Sequence, residues 1–235
     1  MDPQRRASIS ANAFQLAERD EVQQLSGQTL QRETQAKDDL LRALCEGHLH
    51  AVFVDVDGRL CPDGPRPLLL LPGSFNPLHR GHCGLAEAAS RRTGLTAVFE
   101  LSVVNADKPS LTAEEVRSRL DAFADKSSLW LTRAPTFVEK AELFPGVVFV
   151  VGADTAERIV QPRFYGGSAA QLDRAMTKLR SRSCRFLVAG RVNKEDNFVD
   201  LSNLDIPEAY RDLFADLPAD EFRVDLCSTQ LREAR

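Results

Sequence analysis

The chain has 235 residues, enough for one domain of ordinary size with an appendage. Its net charge of −4 at pH 7 provides no basic field, which argues against nucleic acid or an anionic membrane as the main partner, so a polyanionic ligand must be caught in a local pocket. Five cysteines, odd in number and without a CxxC pair, argue against a disulfide framework or a zinc module and fit a reducing compartment. No apolar run is long enough for a membrane span, and no apolar signal core follows Arg5 and Arg6. The expected location is therefore the cytoplasm, extending to the nucleus.

Residues 1–66 read as an N-terminal extension. The stretch around residues 13–45 is polar and charged, with Leu40, Leu41 and Leu44 at helical spacing, and a strand-like Ala51-Val52-Phe53-Val54 follows. Asp55-Val56-Asp57-Gly58 imitates the opening of haloacid-dehalogenase phosphatases. Arg59 stands where that family has Thr or Val, and a different strand begins soon after, so a surface hairpin is expected. The turn-rich Cys61 to Pro67 marks the boundary with the main domain, residues 67–235.

From Leu68 onward strands and helices alternate. Strands are expected at Leu68–Leu71, Ala97–Val104, Leu129–Leu131, Val147–Val151, Arg185–Ala189 and, more briefly, Phe222–Leu226. Helices are expected near Gly81–Arg92, after the capping box Thr112-Ala113-Glu114-Glu115, and near Ser168–Arg180. This alternation implies an α/β fold whose parallel sheet is covered on both faces, with ligands beyond the carboxyl ends of the strands. Trp130, on a strand, is expected in the core.

Pro72-Gly73-Ser74-Phe75-Asn76-Pro77-Leu78-His79-Arg80-Gly81-His82 carries the chemistry. A buried strand runs into a tight turn, and a helix begins at once, presenting free N–H groups and a positive dipole end to phosphate. Gly73 lets the backbone approach a ligand closely. His79 and His82, three apart, project toward one side and can donate hydrogen bonds to phosphoryl oxygens. His79, His82 and Cys83 lack further ligands at a workable spacing, so no protein metal site is assigned.

G-S-F-N-P-x-H-x-G-H resembles the phosphate-binding signature of the histidine-containing, cytidylyltransferase-like nucleotidyltransferase superfamily, which includes nicotinamide mononucleotide and phosphopantetheine adenylyltransferases. Cys227-Ser228-Thr229-Gln230-Leu231-Arg232 is similar to the late I-S-S-T-x-[IL]-R signature of the adenylyltransferase branch, and Gly152-Ala153-Asp154 looks like its G-x-D turn. The resemblance implies a Rossmann-like sheet with His79, His82 and Arg232 as catalytic residues. It places Gly73, Ser74, Phe75, Gly81, Gly152, Asp154, Ser228 and Thr229 at the nucleotide, and Lys108 with Arg117 or Arg119 at the second substrate's phosphate. Phe137 falls near where the mononucleotide adenylyltransferases stack a Trp on the pyridine ring.

The implied reaction is transfer of AMP from ATP to nicotinamide or nicotinate mononucleotide, with Mg²⁺ accompanying the triphosphate and pyrophosphate leaving. A cytidylyltransferase acting on a phosphorylated alcohol is the enzymatic alternative. A nucleotide-binding or scaffold subunit with little turnover is the alternative outside catalysis. In that reading residues 1–66 dock a second copy of the chain or another protein.

Overall fold

The computed structural model describes residues 34–104, 109–124, 126–193 and 197–223. Among them eight strands form one sheet, in the order β10-β7-β6-β3-β4-β5-β1-β2. The six strands β3 (Leu69–Pro72), β4 (Ala97–Ser102), β5 (Leu129–Thr132), β6 (Val148–Gly152), β7 (Arg185–Ala189) and β10 (Phe214–Leu217) pair in parallel. Starting at β3 the chain builds outward to β4 and β5, then crosses back to β6 and continues to β7 and β10. The strand order reverses between β3 and β6, and a doubly wound sheet opens a crevice at that point.

The two sheet faces carry separate cores. Leu69 and Leu71 of β3 point to one face and Leu70 to the other, as the two-residue period of a strand requires. The first face is covered by α1 (residues 34–46), α2 (Arg80–Thr93) and α3 (Ala113–Leu120). The second is covered by α4 (Phe137–Leu143), α5 (Ala153–Ile159) and α6 (Ala169–Ser181). The α/β, Rossmann-like architecture expected from the alternation is the one observed.

Residues 51–61 extend this sheet. β1 (Ala51–Val54) lies antiparallel to β5, with Phe53 opposite Trp130 and their rings 5.3 Å apart, and β2 (Leu60–Cys61) returns beside β1. Asp55 to Arg59 is a tight hairpin turn. The Asp55 N–H donates to the Arg59 carbonyl, the Arg59 N–H donates to Asp55 Oδ1, and Gly58 takes φ 76°. The helix α1 buries Leu41 and Leu44 completely, a gain of about 1.5–3 kcal/mol each. The Arg133 guanidinium donates to the Leu44 and Cys45 carbonyls, tying the end of α1 to the segment leaving β5.

The sixth parallel strand is not where the sequence suggests. It is Phe214–Leu217, while Phe222 and Arg223 are not in a strand and residues 224–226 lie outside the described residues. Phe-Ala-Asp-Leu is too short to show a period, and a 3-10 helix, Glu208–Leu213, runs directly into it. A small hairpin of β8 (Arg191–Val192) and β9 (Phe198–Val199) follows β7. Among the described residues no helix is long and apolar enough to cross a membrane.

Candidate functional site

The loop after β3 is held from below. The Gly73 N–H donates to the Glu100 carbonyl at 2.9 Å, continuing the sheet by one bond. Phe75 then turns back into the core with φ 43°, a left-handed conformation that costs a non-glycine residue about 1–2 kcal/mol. Its ring meets Phe99, Phe123 and His82 edge to face, with centroids 5.1–5.4 Å apart. A Cβ on Gly73 would stand 2.7 Å from that ring, so Gly73 is required by Phe75 itself. Phe75 is 1% exposed: its place is beneath the loop, supporting His82, and it has no open face for a nucleotide.

His79 is the N-cap of the fourteen-residue α2, with extended φ −142° and ψ 169°. Its N–H donates to His82 Nδ1 at 3.3 Å, and the His82 N–H donates to the His79 carbonyl at 2.9 Å. The two imidazoles stack with centroids 3.7 Å apart and planes 25° from parallel. Burial pushes His82 down to about 4, helped by the charge His79 would carry, and burial also lowers His79. Both rings are therefore neutral at pH 7. Because Nδ1 of His82 accepts, its Nε2 carries the proton and is the donor left for a ligand, a tautomer inferred from the hydrogen bond. Gly81 is buried in the first turn, and Ser74 is exposed on the loop. A cavity of about 470 Å³ opens beside His79 and takes in Arg80, Cys83, Glu87 and Lys126.

Across the reversal point, β6 ends at Gly152, the N-cap of α5. A Cβ there would meet nothing within 4 Å among the described residues, so none of them demands glycine at this position. Asp154, in the first turn of α5, pairs with Arg191 at 2.5 Å. Sequence reading missed Arg191; the available signal was an arginine two residues past a buried strand. Phe198 of β9 packs on Gly190, where a Cβ would clash with its ring, and this seats the hairpin carrying Arg191.

The two arginines proposed for the second substrate part company. Arg119 donates to the Ser74 carbonyl at 3.2 Å and so belongs to the phosphate loop. Arg117 turns to α1 and binds Asp38 Oδ1 through Nε at 3.2 Å and Nη2 at 2.8 Å. Phe137 is half-buried, its ring edge-on to Phe149 and Phe186 at 5.2 Å, among the aromatics of the second core. Trp130, 6% exposed, packs between Phe53 and Phe144, a core position as expected. Lys108, Ser228, Thr229 and Arg232 lie outside the described residues.

A buried charged cluster was not read from the sequence. Glu100 of β4 is fully buried, and its Oε1 accepts from Thr132 Oγ1 at 2.5 Å and from Lys140 Nζ at 2.7 Å. Lys140, 5% exposed, also donates to the Ala134 carbonyl at 2.6 Å. The signal was a glutamate interrupting the apolar run Val98-Phe99-Glu100-Leu101. Among the described residues no three His, Cys, Asp or Glu side chains gather in a way that could hold a metal.

The arrangement presents one helix N-terminus and the stacked His79 and His82 imidazoles together, which is the chemistry that suits a polyanion. A model of the family described as cytidylyltransferase-like matches residues 70–234, more than half of the chain. Among curated proteins none matches.

Proposed function

We propose that this chain, which belongs to the cytidylyltransferase-like family and is a nucleotidyltransferase, takes ATP as donor and nicotinamide or nicotinate mononucleotide as acceptor. The stacked, neutral His79–His82 pair at the start of α2 carries this reading. Two imidazolium rings could not stack at 3.7 Å without strong repulsion; two neutral rings can, and His82 keeps its Nε2–H for a phosphoryl oxygen.

An oxygen of the acceptor's phosphate attacks the α-phosphorus in line. The bond from that phosphorus to the bridging oxygen breaks, and the electron pair leaves on pyrophosphate. The histidine N–H groups and the α2 N-terminus face the charge that grows on the bridging and β-phosphate oxygens. Mg²⁺ belongs to the substrate, since it prefers phosphate oxygens and water to imidazole. Asp154 orients the ribose, and Arg119 with Lys108 receives the acceptor's phosphate. Arg232 is assigned as the outer phosphate clamp on the likeness of Cys227–Arg232 to the late adenylyltransferase signature. Glu221 pairs with Arg92 of α2, and the Phe222 ring lies against Gly84, so the chain reaches the histidine helix ten residues before Arg232.

Pyrophosphate release, measured with ATP or CTP against nicotinamide mononucleotide, nicotinate mononucleotide and phosphorylated alcohols, tests the reading. ATP with a pyridine mononucleotide is the expected productive pair. Turnover only with CTP and a phosphorylated alcohol would replace both substrates, and triphosphate binding without turnover in every arm would overturn it.

A further inference from the structure

One residue bonds both to the phosphate loop after β3 and to the side chains that hold the segment leaving β5. The Glu100 main-chain carbonyl holds the Gly73 N–H at the start of the phosphate loop. The Glu100 side chain holds Thr132 Oγ1 and Lys140 Nζ. Both of these grip the segment leaving β5. The Ala134 N–H donates to Thr132 Oγ1 at 3.2 Å, and the Ala134 carbonyl accepts from Lys140 at 2.6 Å. The segment leaving β4 joins the same node, because the Val103 N–H donates to the Thr132 carbonyl at 2.8 Å. The turns after β3, β4 and β5 are adjacent at the carboxyl end of the sheet, on the side of β3 away from Gly152.

A glutamate–lysine pair with 1% and 6% side-chain exposure is a costly way to fill a core. Well-packed apolar residues fill such space as stably, so the pair's use lies in its directed bonds. Here every directed bond ends on a connecting segment beyond the strands or on its anchor.

We propose that Glu100, Thr132 and Lys140 are positioning residues that set the acceptor-side segment after β5 against the phosphate loop. They touch neither substrate. The inference rests on the nucleotidyltransferase reading and assigns its acceptor side to this node. It also predicts an asymmetry. The donor loop is held by the Glu100 backbone, which survives side-chain replacement, whereas Ala134 is held by side chains alone.

The test replaces both charges together, Glu100→Leu with Lys140→Met, so that neither is left buried and unpaired; Thr132→Val, which keeps the shape and removes the hydroxyl, is the second variant. Expected for the double variant are an unchanged or higher melting temperature, a triphosphate Kd within threefold of wild type, and an acceptor KM raised about tenfold or more. Expected for Thr132→Val is a smaller rise in the same KM. Amide hydrogen exchange is read in parallel, with Ala134 exchanging at least tenfold faster in Thr132→Val, which removes the acceptor of its N–H, and Gly73 unchanged in both variants. A folded double variant with wild-type acceptor KM overturns the proposal. If the double variant fails to fold, wild-type acceptor KM and Ala134 exchange in Thr132→Val overturn it. If the wild-type chain shows no turnover with any acceptor, the functional reading fails and the exchange pattern alone decides whether the node positions Ala134.

Discussion

The donor and acceptor halves proposed for the site are built in opposite ways. The donor half is one continuous stretch: Gly73, Phe75, His79 and His82 lie within ten residues, and each contacts another of them. The acceptor half is drawn from β4, β5, α3 and α4, with α1 outside them. Its contacts span Glu100 to Lys140 and Arg119 to Ser74. A contiguous site stores its geometry in local backbone conformation, so damage there is local and deep. A site assembled from distant segments stores its geometry in side-chain bonds, so one change loosens several loops.

The largest effect expected from this contrast follows Phe75→Ala. Phe75 is fully buried against Phe99, Phe123 and His82, and its loss opens a cavity costing about 3–5 kcal/mol. Because the same ring supports His82, triphosphate affinity should fall along with the unfolding midpoint in denaturant. A drop in stability with unchanged affinity for the triphosphate would separate the loop's packing from its binding.

His82→Ala comes next. If both histidines meet the developing charge as proposed, removing one should lower kcat about 10²–10³-fold, while the fold and the acceptor KM stay near wild type. Pyrophosphate release and calorimetric triphosphate binding check this together. An equal effect on acceptor KM would mean that the halves are not separable.

The pH dependence sharpens the same point. His82 titrates at about 4 in the folded chain against 6.5 for a free imidazole, so the unfolded chain binds more protons between those values. The stability this histidine contributes is complete above about 6.5 and declines as pH falls toward 4. A bound polyanion has the opposite influence, because its charge raises the ring's affinity for a proton. Triphosphate binding should therefore take up protons near pH 5, seen as a buffer-dependent binding enthalpy that shrinks in His82→Ala. Proton release in place of uptake would contradict a phosphate site at these rings.

How much could be read from the sequence follows the same division. The donor loop was legible because turn chemistry, helix onset and paired histidines are written at fixed short spacings, and the capping box at Thr112 and Glu115 was legible for the same reason. Phe75 was legible as part of the motif but not as a buried support, since burial depends on Phe99 and Phe123, which arrive from other elements. The Glu100–Lys140 pair and the Asp154–Arg191 pair each join residues more than thirty positions apart, and no local period encodes such a meeting. β10 was misplaced because four residues after a 3-10 turn carry no alternation to read.

The smallest effect is also the most discriminating, because it sets two neighbours on one helix against each other. Arg117 and Arg119 are indistinguishable in sequence, yet Arg119 reaches the Ser74 carbonyl while Arg117 is engaged by Asp38 on α1. Arg117→Ala breaks an exposed ion pair, worth about 0–1 kcal/mol, and should leave both Michaelis constants unchanged. Arg119→Ala removes the cation held at the Ser74 carbonyl of the phosphate loop and, on the proposed reading, should lower kcat/KM for the acceptor about tenfold, equivalent to about 1.4 kcal/mol. Steady-state kinetics on the two variants decides the assignment. Equal losses would mean that Asp38 releases Arg117 when substrate binds, which makes α1 part of the acceptor half; Asp38→Ala should then raise turnover in the Arg119→Ala background, because it frees the second guanidinium for the same phosphate.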